Sequence, residues 1–484
     1  MPGHPGLNPP VSTLKTYPPR KTRIIATVGP SSEKFEQLRD LAEAGVNVFR
    51  LNFSHAKHEW AKIIVGQVRE LEHQLNRPIG TMMDTQGPSI RTGELANPIP
   101  LKVGEVFTFT VRGEQEESAS VNVNYEKMVE DISVGDTVLV DNGVIRLKVL
   151  EKQHNKIRCE ILTSGTLGSR RHINLPGVKV SLPSITEKDY EDVRWGVEHG
   201  VDYVALSFVR SREDIEQLRG FLRALKSSMK IIAKIEDQQA IQNLDTILGS
   251  ADGVMIARGD LGIELPFEEL PIIQRRIVHG CLRLGKPVIV ATHLLESMHE
   301  SPMPTRAEVT DVANAVYEQA DAVMLSGETG VGKYPVKCVE TLDIISRRIE
   351  RAGGVKLVDH VEFTMDRQHL VASAIMLANE LKATGIVVFT HAGNTAQMAS
   401  WLRPSSSHIY AFTPNETIWR QMSLLWGVRA FKMMLKDEDP QGTVVEALAV
   451  LKENKLVHAG ETLVFLSQIE AHGHRHDSIQ FRKV

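Results

Sequence analysis

Three short runs of this sequence place charged residues where an apolar stretch ends. "VFRLNFSH" carries Arg50, Asn52, Ser54 and His55, "IIAKIE" carries Lys234 and Glu236, and "MIARGDLG" carries Arg258 and Asp260 on either side of Gly259. Charge taken out of water is costly unless it is paired or bound to a metal. Glu236 and Asp260 are hard oxygen donors, and one or two carboxylates completed by water and substrate oxygens is the usual way to hold Mg²⁺. Arg50 and Lys234 add positive charge suited to a phosphoryl group. With no Ser-His-Asp arrangement evident and no thiol among these residues, the set favours phosphoryl transfer over acyl transfer.

The elements that must position these residues recur along the chain. The short β-rich runs "TRIIATVG", "VNVFRLNF", "PIGTMMD", "VDYVALSF", "KIIAKIE", "DGVMIARGD", "KPVIVATH" and "DAVMLSGE" are separated by segments of helical length. In the first of these segments Ser31 or Ser32 is expected to cap a helix that Gly45 ends. Continuous apolar strands alternating with helices imply a parallel sheet covered on both faces, and eight units match a TIM barrel. An open doubly wound sheet fits less well, because no G-x-G-x-x-G follows the first strand.

The rhythm breaks between about Pro88 and Pro183. There "EVFTFTV", "ASVNVNY", "DTVLVDNGVIRLKVLE" and "NKIRCEILTSGTL" alternate apolar with polar residues, and Asp141-Asn142-Gly143 signals a hairpin turn. Beyond about Arg351 the runs "GIVVFT", "HIYAF", "VRAFKM" and "ETLVFL" alternate with helical stretches. The expected organisation is an N-terminal tail over 1–20, a (β/α)8 barrel over 21–87 and 184–350, an all-β barrel-like lid inserted over 88–183, and a C-terminal α/β domain over 351–484 that serves regulation or oligomerisation.

In such a barrel the chemistry gathers at the C-terminal strand ends. The second strand ends in Arg50, Asn52, Ser54 and His55, the third in Asp84 and Thr85, the fifth in Lys234 and Glu236. The sixth ends in Arg258 and Asp260, the seventh in Thr292, and the eighth in Ser326 and Glu328. Strand residues two apart share a face. Arg50, Asn52 and Ser54 are therefore expected to point together, as are Lys234 with Glu236 and Arg258 with Asp260.

Composition narrows the function. The chain has 484 residues with a net charge of -4, too small a charge to suggest a nucleic-acid partner. No apolar run approaches the roughly 18 residues that a membrane span needs. Cys159, Cys281 and Cys338 are few, odd in number and far apart, which fits a reducing cytoplasm. The first twenty residues, rich in proline and without an apolar run, are expected to be a flexible tail rather than a signal peptide. "GETGVGK", Gly327 to Lys333, has the spacing of a P-loop, but Tyr334 stands where Ser or Thr would bind Mg²⁺, so a turn into a helix is expected. "HGHRHD" near the C-terminus lacks a Cys or carboxylate cluster and reads as a solvated polar tail.

From Lys21 onward the chain closely resembles the pyruvate kinase family. "RKTRIIATVGPSS", "GVNVFRLNFSH", "MDTQGPSIRTG", "IIAKIEDQ", "MIARGDLGIELP", "PTRAEVTDVANAV" and "DAVMLSGET" look like that family's signatures, in order. The resemblance implies transfer of the phosphoryl group of phosphoenolpyruvate to ADP, giving pyruvate and ATP in glycolysis. It implies that Glu236 and Asp260 hold Mg²⁺ or Mn²⁺, that Lys234 stabilises the phosphoryl group in flight and that Arg50 binds the phosphate. Gly259, Asp260 and Thr292 would contact phosphoenolpyruvate, with Thr292 near the path of proton delivery to the enolate. Asn52, Ser54, Asp84 and Thr85 would ligate K⁺. The turn from Asn52 through Phe53 and Ser54 to His55, together with Arg91 and Arg171, would face the nucleotide. A homotetramer is implied as well.

Three departures from the family pattern stand near these positions. Gln86 replaces a usual Lys, His293 replaces a common Gln, and Ser89 stands where the family has a Glu linked to K⁺ dependence or a Lys linked to its absence. The K⁺ requirement is thus open at this level. "THAGNT", Thr390 to Thr395, offers no cation where sugar-phosphate-activated members have a Lys-containing loop, so weak or absent activation by fructose 1,6-bisphosphate is expected. A metal-dependent pyruvate aldolase on a related barrel is the rival enzyme, but it gives no reason for the inserted lid. A degenerate regulatory homologue would need a missing catalytic residue, and none is missing.

Overall fold

The computed structural model describes residues 19–111, 119–355, 363–436, 438–471 and 474–484. The tail expected over 1–20 therefore lies, up to residue 18, outside the described residues. Eight parallel strands, numbered along the chain, are β1 (Arg23–Thr27), β2 (Val48–Asn52), β3 (Gly80–Asp84), β12 (Tyr203–Leu206), β13 (Lys230–Ile235), β14 (Gly253–Ala257), β15 (Val288–Ala291) and β16 (Ala322–Leu325). They close into a barrel in the order β1-β16-β15-β14-β13-β12-β3-β2. Each expected run is present, and β1, β3, β12, β14, β15 and β16 are buried at every residue. Such uninterrupted burial is why these strands read as continuous apolar stretches.

The chain divides into two compact units. The first comprises residues up to Leu51, Glu59–Met82 and Cys281 onward. In it β1 pairs with β16 (Ile24 opposite Val323) and with β2 (Ile25 opposite Val48). The helix Phe35–Ala44 stops at Gly45, whose φ of 122° lets its amide bond back to Leu41 and Ala42. Neither Ser31 nor Ser32 caps this helix. Lys34 occupies the cap position, and the Ser32 hydroxyl instead accepts the Gly29 amide at 3.1 Å inside the preceding turn.

The same unit carries a five-stranded sheet in the order β19-β18-β17-β20-β21. Its strands are β17 (Gly385–Phe389), β18 (His408–Thr413), β19 (Val428–Lys432), β20 (Thr462–Ala471) and β21 (His474–Lys483). The first four match the expected runs. The fifth does not: from His474 on, the stretch read as a polar tail is an edge strand, paired antiparallel to β20 from Ala471↔His474 to Thr462↔Lys483. Ile479, packed against a core of Val388, Ile409 and Val464, gives that strand its apolar anchor.

The second unit comprises Asn52–His58 and Met83–Gly280. It holds β12, β13 and β14 in parallel register (Leu206↔Ala233, Lys234↔Met255). Between β3 and β12 the chain forms β4 (Ile99–Leu101), β5 (Val106–Thr110), β6 (Ser120–Asn122), β7 (Thr137–Val140), β8 (Ile145–Lys152), β9 (Lys156–Ile161), β10 (Gly165–Leu167) and β11 (Ile173–Asn174). They form a six-stranded sheet, β11-β7-β8-β9-β5-β6, and a two-stranded one, β10-β4. Their core includes Phe107, Phe109, Val121, Leu147 and Val149. The predicted turn joins β7 to β8, with positive φ at Asp141, Asn142 and Gly143 (54°, 56° and 82°) as tight hairpins require.

In the first unit His408 opens β18 among cations. Burial, with Lys21, Arg429 and Arg23 adding repulsion, pulls its imidazole down from 6.5 to about 4. The unfolded chain binds this proton below 6.5 and the folded chain only near 4, so the contribution to stability is complete above that window and is lost as pH falls through it. The unfolding midpoint of the native protein should fall more steeply between pH 6.5 and about 4 than that of His408→Gln; equal slopes would refute this.

Candidate active site

At the end of β13 the ammonium of Lys234 sits in a ring of oxygens. It lies 2.9 Å from Glu236 Oε1, 2.9 Å from Asp84 Oδ1 and 2.7 Å from Ser207 Oγ. Lys234, Glu236 and Asp84 are 8, 2 and 1 % exposed. Lys234 and Glu236 thus point together, as strand alternation predicts. Glu236 also accepts the Phe208 amide at 2.6 Å, and Phe208 holds a φ of 53°, a strained backbone for an aromatic residue.

Ser207 has no place in the sequence-based site, although its signal was available: it is the polar residue ending the fourth apolar run. Its hydroxyl accepts from Lys234 and faces Thr85 O at 2.7 Å and Asp84 Oδ1 at 3.2 Å. Its amide donates to Thr85 Oγ1 at 3.0 Å. The ends of β3, β12 and β13 are therefore joined through one hydroxyl.

Asp260 departs from the expected geometry. β14 ends at Ala257, and Arg258–Glu264 is a short helix, so Arg258 and Asp260 do not share a strand face. Residues two apart on a helix point in different directions. Arg258 is buried and donates to Gln274 Oε1 at 3.3 Å, while Asp260 is half-buried. Asp260 is nonetheless close enough for its charge to act on Glu236, whose carboxyl is pushed up by burial and by that charge against the opposing pull of Lys234. Gly259 lies in the first turn of the same helix. A cavity of about 390 Å³ beside Glu236 is bordered by Phe208, His172, Asn174 and Glu264. Burial pushes Glu264 up to about 7 even though it accepts Asn174 Nδ2 at 3.2 Å.

Ser54 corrects a second expectation. β2 stops at Asn52, and Phe53, Ser54 and His55 form a turn in which Asn52 Oδ1 accepts the Ser54 amide at 3.2 Å. Asn52 O accepts from His55 and Ala56, and the Phe53 amide donates to Asp84 O at 2.9 Å. Arg91 donates to Ser89 Oγ and to Arg170 O, each at 3.2 Å. Arg171 pairs with Asp141 at 3.2 Å on the module's surface.

In the other unit Arg50 is buried and donates to Thr27 Oγ1 at 2.9 Å. Thr292 and His293 have φ of 66° and 53°, and for β-branched Thr292 that is a marked strain of the kind that collects at functional sites. Its hydroxyl donates to Ala291 O at 2.6 Å. Glu328 serves the scaffold, accepting the amides of Ser326 at 2.7 Å and Leu295 at 3.2 Å. Gly327–Gly330 is one helical turn leading toward the helix Pro335–Ala352, as expected for the P-loop look-alike. Thr390, His391, Asn394 and Thr395 line a second cavity of about 300 Å³ that also meets Arg367 and Lys436. The loop itself supplies no lysine or arginine, and both neighbouring cations already face carboxylates, Asp477 and Glu446.

A family model described as pyruvate kinase, barrel domain, matches residues 19–339, and one described as pyruvate kinase, alpha/beta domain, matches 368–479. The chain belongs to the pyruvate kinase family. It is 40% identical over 473 residues to plastidial pyruvate kinase 3 of Arabidopsis thaliana, covering 96% of this chain and 82% of that one. It is 39% identical over 457 residues to pyruvate kinase 2 of Synechocystis, covering 93% and 77%. A crystal structure of a pyruvate kinase from Cryptosporidium parvum superposes with a TM-score of 0.90 at 35% identity, covering 96% of each chain. As a pyruvate kinase the enzyme is a phosphotransferase that moves the phosphoryl group of phosphoenolpyruvate to ADP, giving pyruvate and ATP in glycolysis. Members of this family use a divalent metal and K⁺.

Ser207→Ala removes one of the oxygens around the Lys234 ammonium and leaves Thr85 O without that donor. The loss is of the order of one charged hydrogen bond, about tenfold in kcat. Steady-state assay of the folded variant checks this, and an unchanged kcat would count against the role.

Proposed function

We propose that Glu236 and Asp260 hold the divalent ion, Mg²⁺ or Mn²⁺, that the reaction requires. The observation that carries this is the crowding of carboxylates at one buried ammonium: Lys234 Nζ lies 2.9 Å from both Asp84 and Glu236, and the charge of Asp260 acts on Glu236 as well. A dication offsets that imbalance, and a two-carboxylate set leaves room for water and substrate oxygens, as Mg²⁺ prefers. When bound, the ion polarises substrate oxygens and neutralises charge that builds on them.

The chain's own residues do the rest. Lys234, fixed by Asp84, Glu236 and Ser207, presents its ammonium to the phosphoryl group as the bond to the enol oxygen breaks and the bond to the β-phosphate of ADP forms. Arg50 binds the phosphate, and Gly259 leaves the backbone open to phosphoenolpyruvate. Thr292 stands by the proton path to the enolate. Protonation and the shift to the ketone draw the reaction toward ATP. Asn52, Ser54, Asp84 and Thr85 hold K⁺, and the turn Asn52–His55 with Arg91 and Arg171 faces the nucleotide. The inserted β module, over 88–183, acts as a lid that keeps water from competing with ADP.

A reducing cytoplasm suits the three buried, unpaired cysteines. A homotetramer suits the open edge of β21, where Phe481 is 60% exposed, and sedimentation or sizing of the full chain should give four copies rather than one.

A coupled assay should detect ATP from phosphoenolpyruvate and ADP only with divalent ion present. Lys234→Met should lower kcat by at least about a hundredfold. Unimpaired turnover in that variant would sink the assignment. The same assay with and without K⁺ at matched ionic strength tests the monovalent site, and equal rates would remove it.

A further inference from the structure

The helix Glu187–Glu198, the first element after the inserted module, takes no part in the chemistry described above. Three of its polar side chains nevertheless reach the two loops that carry the nucleotide and K⁺ residues. Lys188 Nζ donates to Phe53 O at 2.8 Å, in the middle of the turn Asn52–His55. The same ammonium lies 2.6 Å from Asp192 Oδ2, and Asp192 Oδ1 lies 2.7 Å from His58 Nε2. His58 is the first residue of the helix that follows the turn, so one carboxylate holds the start of that helix directly and the middle of the turn through Lys188. Asp189 accepts the Gly87 amide at 3.1 Å and so ties the loop after β3 to the same helix.

The geometry is over-determined at Phe53. Its amide donates to Asp84 O and its carbonyl accepts from Lys188, so the peptides on both sides of this residue are fixed in orientation. The Ser54 amide belongs to the second of those peptides and is bonded to Asn52 Oδ1. Rotation of the Phe53 carbonyl would therefore move Ser54 and release the Asn52 side chain together. Trp195, one turn on from Asp192, completes the hold by stacking on His58 with centroids 5.4 Å apart and by packing against the Phe53 ring at 5.4 Å.

Asp192 has a side chain only 4% exposed. A buried ionic group of this kind adds little net stability over packed apolar residues, and its attested use is to specify one geometry. We infer that Lys188 and Asp192 are positioning residues that hold the Asn52–His55 turn in the conformation that accepts ADP. The inference rests on the proposed reading of that turn as the nucleotide face.

Lys188→Met and Asp192→Asn should each raise the KM for ADP about tenfold while leaving the KM for phosphoenolpyruvate within about twofold, because a displaced positioning group costs binding of the ligand it serves. Thermal unfolding accompanies each assay, and Lys188, which is 46% exposed, is the variant expected to stay folded. A merely structural role would lower the unfolding midpoint or the active fraction without separating the two KM values, and that result overturns the inference. Asn52→Ala is measured in parallel. A raised KM for ADP in Asn52→Ala with none in Lys188→Met overturns the positioning role alone. An unchanged KM for ADP in Asn52→Ala overturns the nucleotide reading and the inference with it.

Discussion

The ammonium of Lys234 is the interaction on which the site depends. Three buried or nearly buried groups, Asp84, Glu236 and Ser207, converge on it from three strand ends, and none of the charges would be tolerable at that depth without the others. Burial and the charge of Asp260 both disfavour the charged form of Glu236, and Lys234 opposes them.

In each unit the scaffold works by committing backbone groups. Phe208 bends through a positive φ to bring its amide to Glu236, the Phe53 amide is bonded to Asp84 O, and the buried Glu328 holds the amides of Ser326 and Leu295. Glu328, a polar strand-end residue of the kind expected at a site, instead holds loop amides.

Much of this was legible in the order of residues. Continuous burial makes each barrel strand an apolar run, and alternation in β8, with Ile145, Leu147 and Val149 inside and their neighbours outside, marks the inserted module as a sheet with one wet face. Lys234 and Glu236, two apart across the end of β13, share a face for the same reason. The helix starting at Arg258 was not legible, because a strand and a helix of about two turns impose no different pattern on a run as short as "ARGDLG". The cap at Ser31 or Ser32 failed similarly: a hydroxyl next to a turn can close the turn instead of the helix. β21 was hidden because an edge strand needs only an occasional apolar residue and is otherwise as polar as a tail.

By itself the sequence determined the eight-unit barrel, the inserted β module, the C-terminal α/β layer and the family, because burial periodicity and local motifs are properties of neighbouring residues. Only the tertiary structure decided that Ser207 stands against Lys234, that Asp260 acts on Glu236 from a helix rather than a strand, and that Lys188 and Asp192 reach back more than a hundred residues to Phe53 and His58. Those pairings depend on barrel closure and on where each loop turns, and no pattern along the chain records distances between residues so far apart.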